Sequence, residues 1–474
     1  MTSSIFVNAV IIGGGPAGLA PLVWAARQGT LPSLSAGGLI VIERGSSVGA
    51  GSLGQHAIGS DTLADTFLEC LEDSAEPRLT ALRDHPAALA LATYRGGSAP
   101  LPAAAAFLSA LGAVLSDAIR SAGGQVLTGC EALWSRRRSD GAWQTRWRSM
   151  SGEHEITSRY LVLAAGAREC QAALYTRTVA GHTLLPRLAG KLMLSGAVLA
   201  AGGADEVARR LDGIVAPKVV IVGGSHSALA TANLLLDHSL GTHLEAGAIT
   251  LMHRRPLRVF YPSAAAAEAD GYTDFDDDDI CPVSKRLFRL AGFRLEARRL
   301  VMRALGIGGQ APEPRLRLHR LQDPGMGARD TYTSNAEAEA RRLLDEADLV
   351  VAALGYRPSA PPVFDSNGDR LVLAEDETGP APLVDRQCRV LDRHRLPIPG
   401  LLGIGLAAGF IPGGALGGEP SFRGQTNGIW LWQNGVGAMI VDVLLGPAQL
   451  GPAQPNPAQP GPAQLDRRTD DVAA

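Results

Sequence analysis

Lysine is almost missing from this sequence. Lys191, Lys218 and Lys285 are the only ones in 474 residues, and arginine supplies nearly all the basic charge. With the abundant Ala and Gly, this reads as the codon bias of a GC-rich genome and not as a binding adaptation. The formal net charge is −3, which excludes a general attraction for nucleic acid or an anionic membrane. Cysteine is sparse and scattered, at Cys70, Cys130, Cys170, Cys281 and Cys388. None forms a C-x-x-C pair or a metal-ligand spacing, so a disulfide framework, a redox dithiol and a zinc site are all excluded. The odd count points to reduced thiols and a cytoplasmic protein. No basic segment precedes the first apolar run, and no uninterrupted apolar stretch reaches about 18 residues. Neither a signal peptide nor a membrane span is therefore expected.

What is present is a large apolar complement. Hydrophobic residues make up 46% and charged residues 19%, enough to fill a sizeable core. The length suits two or three domains at roughly 150 residues each. The most informative stretch is AVIIGGGPAGLA, Ala9 to Ala20. A short apolar run leads into Gly13, Gly15 and Gly18, and a helix-like segment follows. This is the G-x-G-x-x-G pattern in its proper context. Gly13 permits the turn, Gly15 lets a pyrophosphate approach the backbone, and Gly18 lets helix and strand pack closely. The helix N-terminus offers free N–H groups to phosphate. The next strand, Leu39 to Ile42, ends at Glu43, in position to hold a ribose hydroxyl. Glu43 lies 30 residues after Gly13, against roughly 20 in the usual pattern. The surplus falls in Gln28 to Gly38, which reads as a lengthened loop. Dinucleotide binding is the expectation; the alternative is a Gly-rich turn followed by a plain surface acid.

Downstream, Gly49, Gly51 and Gly54 lie in a loop that could lay backbone N–H groups against a cofactor, or could be a loose surface loop. Gln55 and His56 are its polar side chains best placed to reach a bound ring. Ser60-Asp61-Thr62 offers N-caps for a helix through Leu71. Leu101 to Ala122 has helical apolar spacing, and Gln125 to Thr128 reads as a strand. Trp134 to Ile156 reads as an antiparallel meander with solvated arginines, in preference to a nucleic-acid stacking surface. Leu161 to Gly166 is a buried strand ending at Gly, and Tyr175 to Asp212 reads as a mainly helical link between two lobes.

The opening pattern then returns. Lys218 to Val222 runs into Gly223, Gly224, Ser225, His226, Ser227 and Ala228. This is a relaxed fingerprint in which Ser225 and Ala228 are small enough to keep the geometry. The following strand ends in His253-Arg254-Arg255. Where an NAD site would carry an acid, two guanidinium groups can pair with a 2′-phosphate, which predicts NADPH over NADH. The alternative is a solvated surface turn. Asp274 to Asp279 lacks the Gly and distal Glu of a calcium loop and reads as a solvated acidic loop. Arg286 to Arg320 reads as strands and turns, Ala336 to Glu346 as a charged helix. Leu349 to Tyr356 is a second strand ending at Gly. Gly424 to Asn427 precedes a helix from Ile429 to Leu445, and a Pro/Ala/Gln-rich repeat after Gly446 reads as a disordered tail.

In this order the parts resemble the two-dinucleotide-binding-domain flavoproteins, over nearly the whole chain to about Gly446. IVGGSHSA, the arginines after it and the ALGY strand look most like class B flavin-dependent monooxygenases, the group of lysine/ornithine N-hydroxylases and Baeyer–Villiger enzymes. The resemblance implies an α/β fold with two Rossmann-like domains, the NADPH domain inserted in the FAD domain. It divides the chain into 1–190 (FAD domain, first part), 191–345 (NADPH domain with linker), 346–446 (FAD domain, second part) and the tail 447–474. FAD would be held by Gly13, Gly15, Gly18, Glu43, Gln55, Val126 and Gly166. NADPH would be held by Gly223, Ser225, Ala228, Arg254 and Arg255. The strand ends at Gly166 and Gly355-Tyr356 look like the crossovers between domains. No catalytic side chain is identified; Gln55, His56 and Asn427 are the candidates. The implied activity is NADPH- and O₂-dependent oxygenation of a small molecule through a C4a-(hydro)peroxyflavin, in secondary metabolism. N-hydroxylation and Baeyer–Villiger insertion both remain open. So do a flavin reductase passing electrons to a quinone and a non-catalytic flavin module. No metal, nucleic acid or membrane is expected, and homo-oligomerisation is left open. Two family features depart: the Baeyer–Villiger signature is absent, with Gly181-His182 its nearest fragment, and Leu406 stands where disulfide reductases carry an acid.

Overall fold

The structure is a computed structural model describing residues 5–321, 334–374, 382–424, 426 and 428–446. The proposed tail, 447–474, and Asn427 lie outside the described residues. The fold is mixed α/β, built on two parallel-stranded sheets.

The first sheet starts with β1 (Phe6–Ile12), an apolar strand buried on both faces, and passes into helix α1 (Pro16–Arg27). β2 (Leu39–Glu43) lies parallel beside β1, with Ala9 opposite Leu39 and Ile12 opposite Ile42. Gln125–Thr128 adds a further parallel strand beyond β2. On the other side of β1 lies the long strand Gly152–Leu163. Its first half pairs antiparallel with Trp143–Ser149, and its last residues pair parallel with Pro397–Gly403. One strand thus carries both the meander and the parallel core. Helix Leu101–Ser121 packs on this sheet through Phe107, Leu108, Leu111 and Leu115. It is long and apolar enough to cross a membrane by length and composition, yet these residues are buried in the sheet's core.

The second sheet draws all its strands from the interval between those two neighbours. Its order is Leu192–Leu194, Leu349–Ala352, β3 (Val219–Val222), β4 (Ile249–His253) and Leu316–Arg320, all parallel. Helix α2 (His226–Asp237) follows β3 and buries Ala228, Leu229, Ala232 and Leu235. The chain passes between the sheets along a two-stranded ribbon, in which Ala167–Glu169 pairs antiparallel with Tyr356–Pro358. Ser359 N–H donates to the Gly166 carbonyl at 2.8 Å, closing the ribbon's end.

Several local expectations are corrected. Gln28 to Gly38 is not simply a loop, because Leu31–Ala36 forms a helix that buries Leu31 and Leu34. Ser60, Asp61 and Thr62 cap no helix; they lie in the strand Gly59–Leu63, paired with Ser98–Pro100. Between Tyr175 and Asp212 the helices are short, and two small strands, Thr178–Val179 and His182–Thr183, intervene. The Arg286 to Arg320 segment contains a helix, Leu295–Leu305. The meander's arginines are paired and not merely solvated: Arg146 reaches Glu153 at 2.7 Å and Arg148 reaches Glu131 at 2.7 Å. The acidic run is not uniformly solvated either, since Asp279 is buried. For Leu31 and Leu34, for Gly59–Leu63 and for Asp279, a tertiary partner outside the local pattern decided the conformation.

Among the buried charges, Glu313 tests the second sheet's edge. Its side chain is fully buried, and it accepts from Arg315 Nε at 2.7 Å and from Arg303 Nη2 at 2.5 Å. Hydrogen bonds from Arg315 hold its carboxyl below the usual carboxylate range. Removing the charge leaves two guanidinium groups without it, so Glu313→Gln should cost about 3 kcal/mol at pH 7 in urea unfolding. A carboxyl with a depressed folded pKa stabilises above its unfolded value. The gap between wild type and variant should therefore be full above about pH 4.5 and close as pH falls through the folded value.

Candidate functional site

Two cradles of the same design lie at the carboxyl ends of β1 and β3. In the first, Gly13 N–H donates to the Ile42 carbonyl at 2.8 Å, and Ala164 N–H donates to the Ile12 carbonyl at 2.8 Å. In the second, Gly223 N–H donates to Met252 at 2.9 Å, and Ala353 N–H donates to Val222 at 2.8 Å. Gly13 has φ +103° and Gly223 φ +140°. A Cβ on Gly13 would overlap the Ala164 carbonyl oxygen, and one on Gly223 the Ala353 carbonyl oxygen. These two positions need glycine for reasons internal to the fold. So does Gly18, whose Cβ would overlap the Gly13 carbonyl.

Gly15 is different. A Cβ there would meet nothing closer than Gly51 Cα at 3.6 Å, an ordinary contact, and its φ of −73° suits any residue. The protein leaves the space above Gly15 open. It lies at the N-terminus of α1, which has no side-chain cap. An open approach to a helix N-terminus fits a pyrophosphate. Glu43 closes the other side: its Oε2 accepts from Gly14 N–H at 2.6 Å and its Oε1 from Gly45 N–H at 2.6 Å. These two bonds fix the carboxylate at the end of β2, with lone pairs left for a ribose.

The loop after Glu43 is not loose. Gly49 N–H donates to the Gly14 carbonyl at 2.7 Å. Val48 and Gly49 press against the long helix at Gly112, where any Cβ would overlap the Val48 carbonyl. Gly112 was the missed signal, a glycine inside a helical pattern. Gln55 is exposed and His56 half-buried, its Nδ1 3.4 Å from the Leu53 carbonyl. Their backbone joins the two sheets: Ala57 N–H donates to Leu199 at 2.8 Å, and Ala201 N–H to Gln55 at 2.9 Å. Val126 sits level with Val41, inside the sheet, and its carbonyl accepts from Arg120. Gly166 lies beyond the strand end at Leu163, where the ribbon begins.

At the second cradle, Ser225 replaces Gly15. It precedes α2 without capping it, and its hydroxyl is buried with no partner among the described residues. An orphaned hydroxyl beside a helix N-terminus suits a phosphate oxygen. Ala228 is fully buried. The residue matching Glu43 is His253, since β2 and β4 share one register against β1 and β3. Burial holds the His253 imidazole pKa below its ordinary range, and the ring faces the Arg255 carbonyl at 2.8 Å. The acid's place is therefore held by an uncharged ring. Arg254 and Arg255 beyond it are exposed; Arg254 also donates to the Thr178 carbonyl at 2.6 Å. Sequence reading missed Arg177, which is half-buried, donates to the Leu354 carbonyl at 2.8 Å and feels the charges of Arg357 and Arg254.

The cradles meet at a junction. His226, the first residue of α2, faces Asp61 of the first sheet's side at 3.5 Å and packs on Phe293 at 4.8 Å. The loop after Pro397–Gly403 closes the far side: a Cβ on Gly405 would meet Ala17 of α1 at 2.9 Å. Glu419, buried, accepts from the backbone N–H of Leu290 and Ala291 at 2.7–3.0 Å. Ser421 Oγ donates to Asp279 at 2.5 Å. The helix expected after Asn427 is continuous from Ile429 through a wide turn at Trp432–Val436 to Leu445. Among the described residues no cluster of metal-ligating side chains occurs.

No family profile matches the sequence. A curated relative, the CMP-5′-(3-aminopropyl)phosphonate hydroxylase of Streptomyces rubellomurinus (strain ATCC 31215), is 31% identical over 452 residues. The match spans 92% of this chain and 97% of that protein. Among solved structures, the ornithine N-hydroxylase of Kutzneria sp. 744, described with reduced FAD, NADP⁺ and L-ornithine, matches with a TM-score of 0.51. It is 15% identical, over 93% of this chain and 99% of that one, a likeness of fold. The chain belongs to the family of that phosphonate hydroxylase, an oxidoreductase, and shares the fold of the flavin-dependent ornithine N-hydroxylase.

Proposed function

We propose that this enzyme is a single-component, FAD-dependent and NADPH-using monooxygenase that N-hydroxylates a small primary amine in secondary metabolism. The observation that carries the cofactor reading is the doubled cradle, open above Gly15 and carrying an orphaned hydroxyl at Ser225. The first cradle takes the FAD pyrophosphate over Gly13, Gly15 and Gly18, with Glu43 on the ribose. The second takes NADPH over Gly223, Ser225 and Ala228. On this reading the NADPH domain, 191–345, is inserted between the two parts of the FAD domain, 1–190 and 346–446. Gln55 and His56 stand where the sheets meet, and their part is to position groups at that junction. The enzyme is read as cytoplasmic.

N-hydroxylation is favoured over ketone oxygenation because the curated relative's named substrate carries a primary amine. The overall reaction is amine, O₂, NADPH and a proton giving hydroxylamine, water and NADP⁺. The bound flavin supplies oxygen activation and accepts the hydride. The protein's task is to hold both nucleotides, exclude water and present the amine unprotonated. Incubating the purified enzyme with NADPH, O₂ and an ω-amino phosphonate should yield hydroxylamine in step with NADPH consumption. NADPH oxidation that requires a quinone and leaves every amine unchanged would overturn the reading.

Four variants test the cradles. Gly15→Val should purify folded yet colourless, because only the ligand's space is filled; Gly18→Val should fail to fold. A folded, fully yellow Gly15→Val protein would remove FAD from this cradle. Glu43→Ala should weaken FAD by roughly 1.5–3 kcal/mol, the worth of one charge-assisted hydrogen bond. Replacing Arg254 and Arg255 together by Ala should raise KM for NADPH up to about a hundredfold, roughly 3 kcal/mol, and leave KM for NADH nearly unchanged. Equal loss of both cofactors would mean the arginines serve only the turn and its bond to Thr178.

A further inference from the structure

Beside the junction stands a group of arginines that the cradles do not use. Arg258, Arg289 and Arg294 come from the second sheet's side, and Arg258 and Arg289 reach the loop Leu416–Ser421 of the first. Arg258 is paired, lying 3.5 Å from Asp279 and donating to Ser421 Oγ at 3.3 Å. Glu419 is committed to the backbone N–H of Leu290 and Ala291. Arg289 and Arg294 have no carboxylate within ion-pair distance among the described residues. Arg289 donates from Nη1 to the Leu416 carbonyl at 2.5 Å, with Cys281 Sγ 3.8 Å away. Arg294 donates from Nη2 to the Arg289 carbonyl and lies over the Phe260 ring at 4.6 Å. Neither is fully exposed. Arg294 is disfavoured by burial and by the charges of Arg289 and Arg286, while Asp61 and Glu419 offset this from a distance.

The arrangement is held in place. A Cβ on Gly417 would overlap Arg289 Nη1 and crowd Cys281 Sγ at 3.0 Å, so the guanidinium is seated against a bare backbone. Collecting like charges away from water is unfavourable unless an anion completes the group. A guanidinium that spends one nitrogen on a carbonyl keeps its other edge for paired N–H bonds to an oxyanion. The position is also telling. Arg294 adjoins Phe293, on which His226 packs, and His226 begins the helix of the second cradle while facing Asp61. The arginines therefore flank the place where the two nucleotide sites converge.

We propose that Arg289 and Arg294 form the subsite for the anionic end of the substrate, a phosphonate or phosphate oxyanion carried by the amine. This rests on the N-hydroxylation reading, and it adds the substrate class: an amine bearing a tetrahedral oxyanion, in preference to an α-amino acid. Calorimetric titration of the flavin-loaded, NADPH-free enzyme tests it without turnover. The probes are 3-aminopropylphosphonate, CMP, 1-aminopentane and ornithine. Wild type should bind at least one of the first two, more weakly as salt rises, and more tightly than 1-aminopentane or ornithine. Preference for 3-aminopropylphosphonate would give the subsite to the phosphonate, and preference for CMP to a nucleotide phosphate. Arg294→Gln should weaken that binding by about tenfold or more, with NADPH affinity within about twofold of wild type. If wild type binds neither oxyanion, or binds ornithine more tightly, the proposal is overturned whether or not the variant folds. Unchanged oxyanion affinity in folded Arg294→Gln also overturns it, as does a loss that falls on NADPH, which would give the arginines to that cofactor's phosphates. Oxyanion binding without any amine hydroxylation would instead sink the N-hydroxylation reading and leave the subsite standing.

Discussion

The structure depends on a contact that a single methyl group would forbid. At Gly13 and again at Gly223, the turn leaving β1 or β3 touches the carbonyl just past the end of the neighbouring strand, Ala164 in one case and Ala353 in the other. That approach brings the helix N-terminus down onto the strand ends. Free backbone N–H groups then converge on one point, and a doubly charged pyrophosphate can be held there without lysine or arginine. Such a device asks for no lysine, and this chain has three.

Using the same device twice sets the difference between the cradles. Glu43 and His253 occupy matching places, and each is fixed by backbone partners. A carboxylate can accept from a ribose hydroxyl but would repel a 2′-phosphate; on the proposed reading, the imidazole followed by two arginines reverses that preference. Everything else in the two halves serves to bring these sites together. The ribbon of Ala167–Glu169 and Tyr356–Pro358 carries the chain both ways between the sheets, while Glu419, Ser421, Asp61 and the backbone at Gln55 pin them.

Much of this was legible in residue order. Both fingerprints, Glu43, the two strand ends at Gly166 and Gly355, the meander and the long helix follow from patterns within a few turns of chain. Such patterns survive because they reflect local sterics and burial. The misreadings share one cause. Gln28 to Gly38 holds a helix because Leu31 and Leu34 find a core; Ser60 to Thr62 form a strand because Ser98–Pro100 lies beside them; Asp279 is buried because Ser421 and Arg258 reach it. No local pattern announces a partner tens of residues away, let alone one as distant as Ser421 is from Asp279.

Sequence alone therefore determined the two strand–glycine turn–helix units and their order, since a glycine spacing and a small residue are short-range demands of backbone geometry. Only the tertiary structure separated Gly15, which the fold would let be another residue, from Gly13 and Gly18, which it would not. It alone matched His253 to Glu43, and it alone seated Arg289 against Leu416 and Gly417 with Arg294 bonded to the Arg289 carbonyl. Those facts belong to distances between chain segments far apart in sequence, and excluded volume and charge act through space whatever the order of residues.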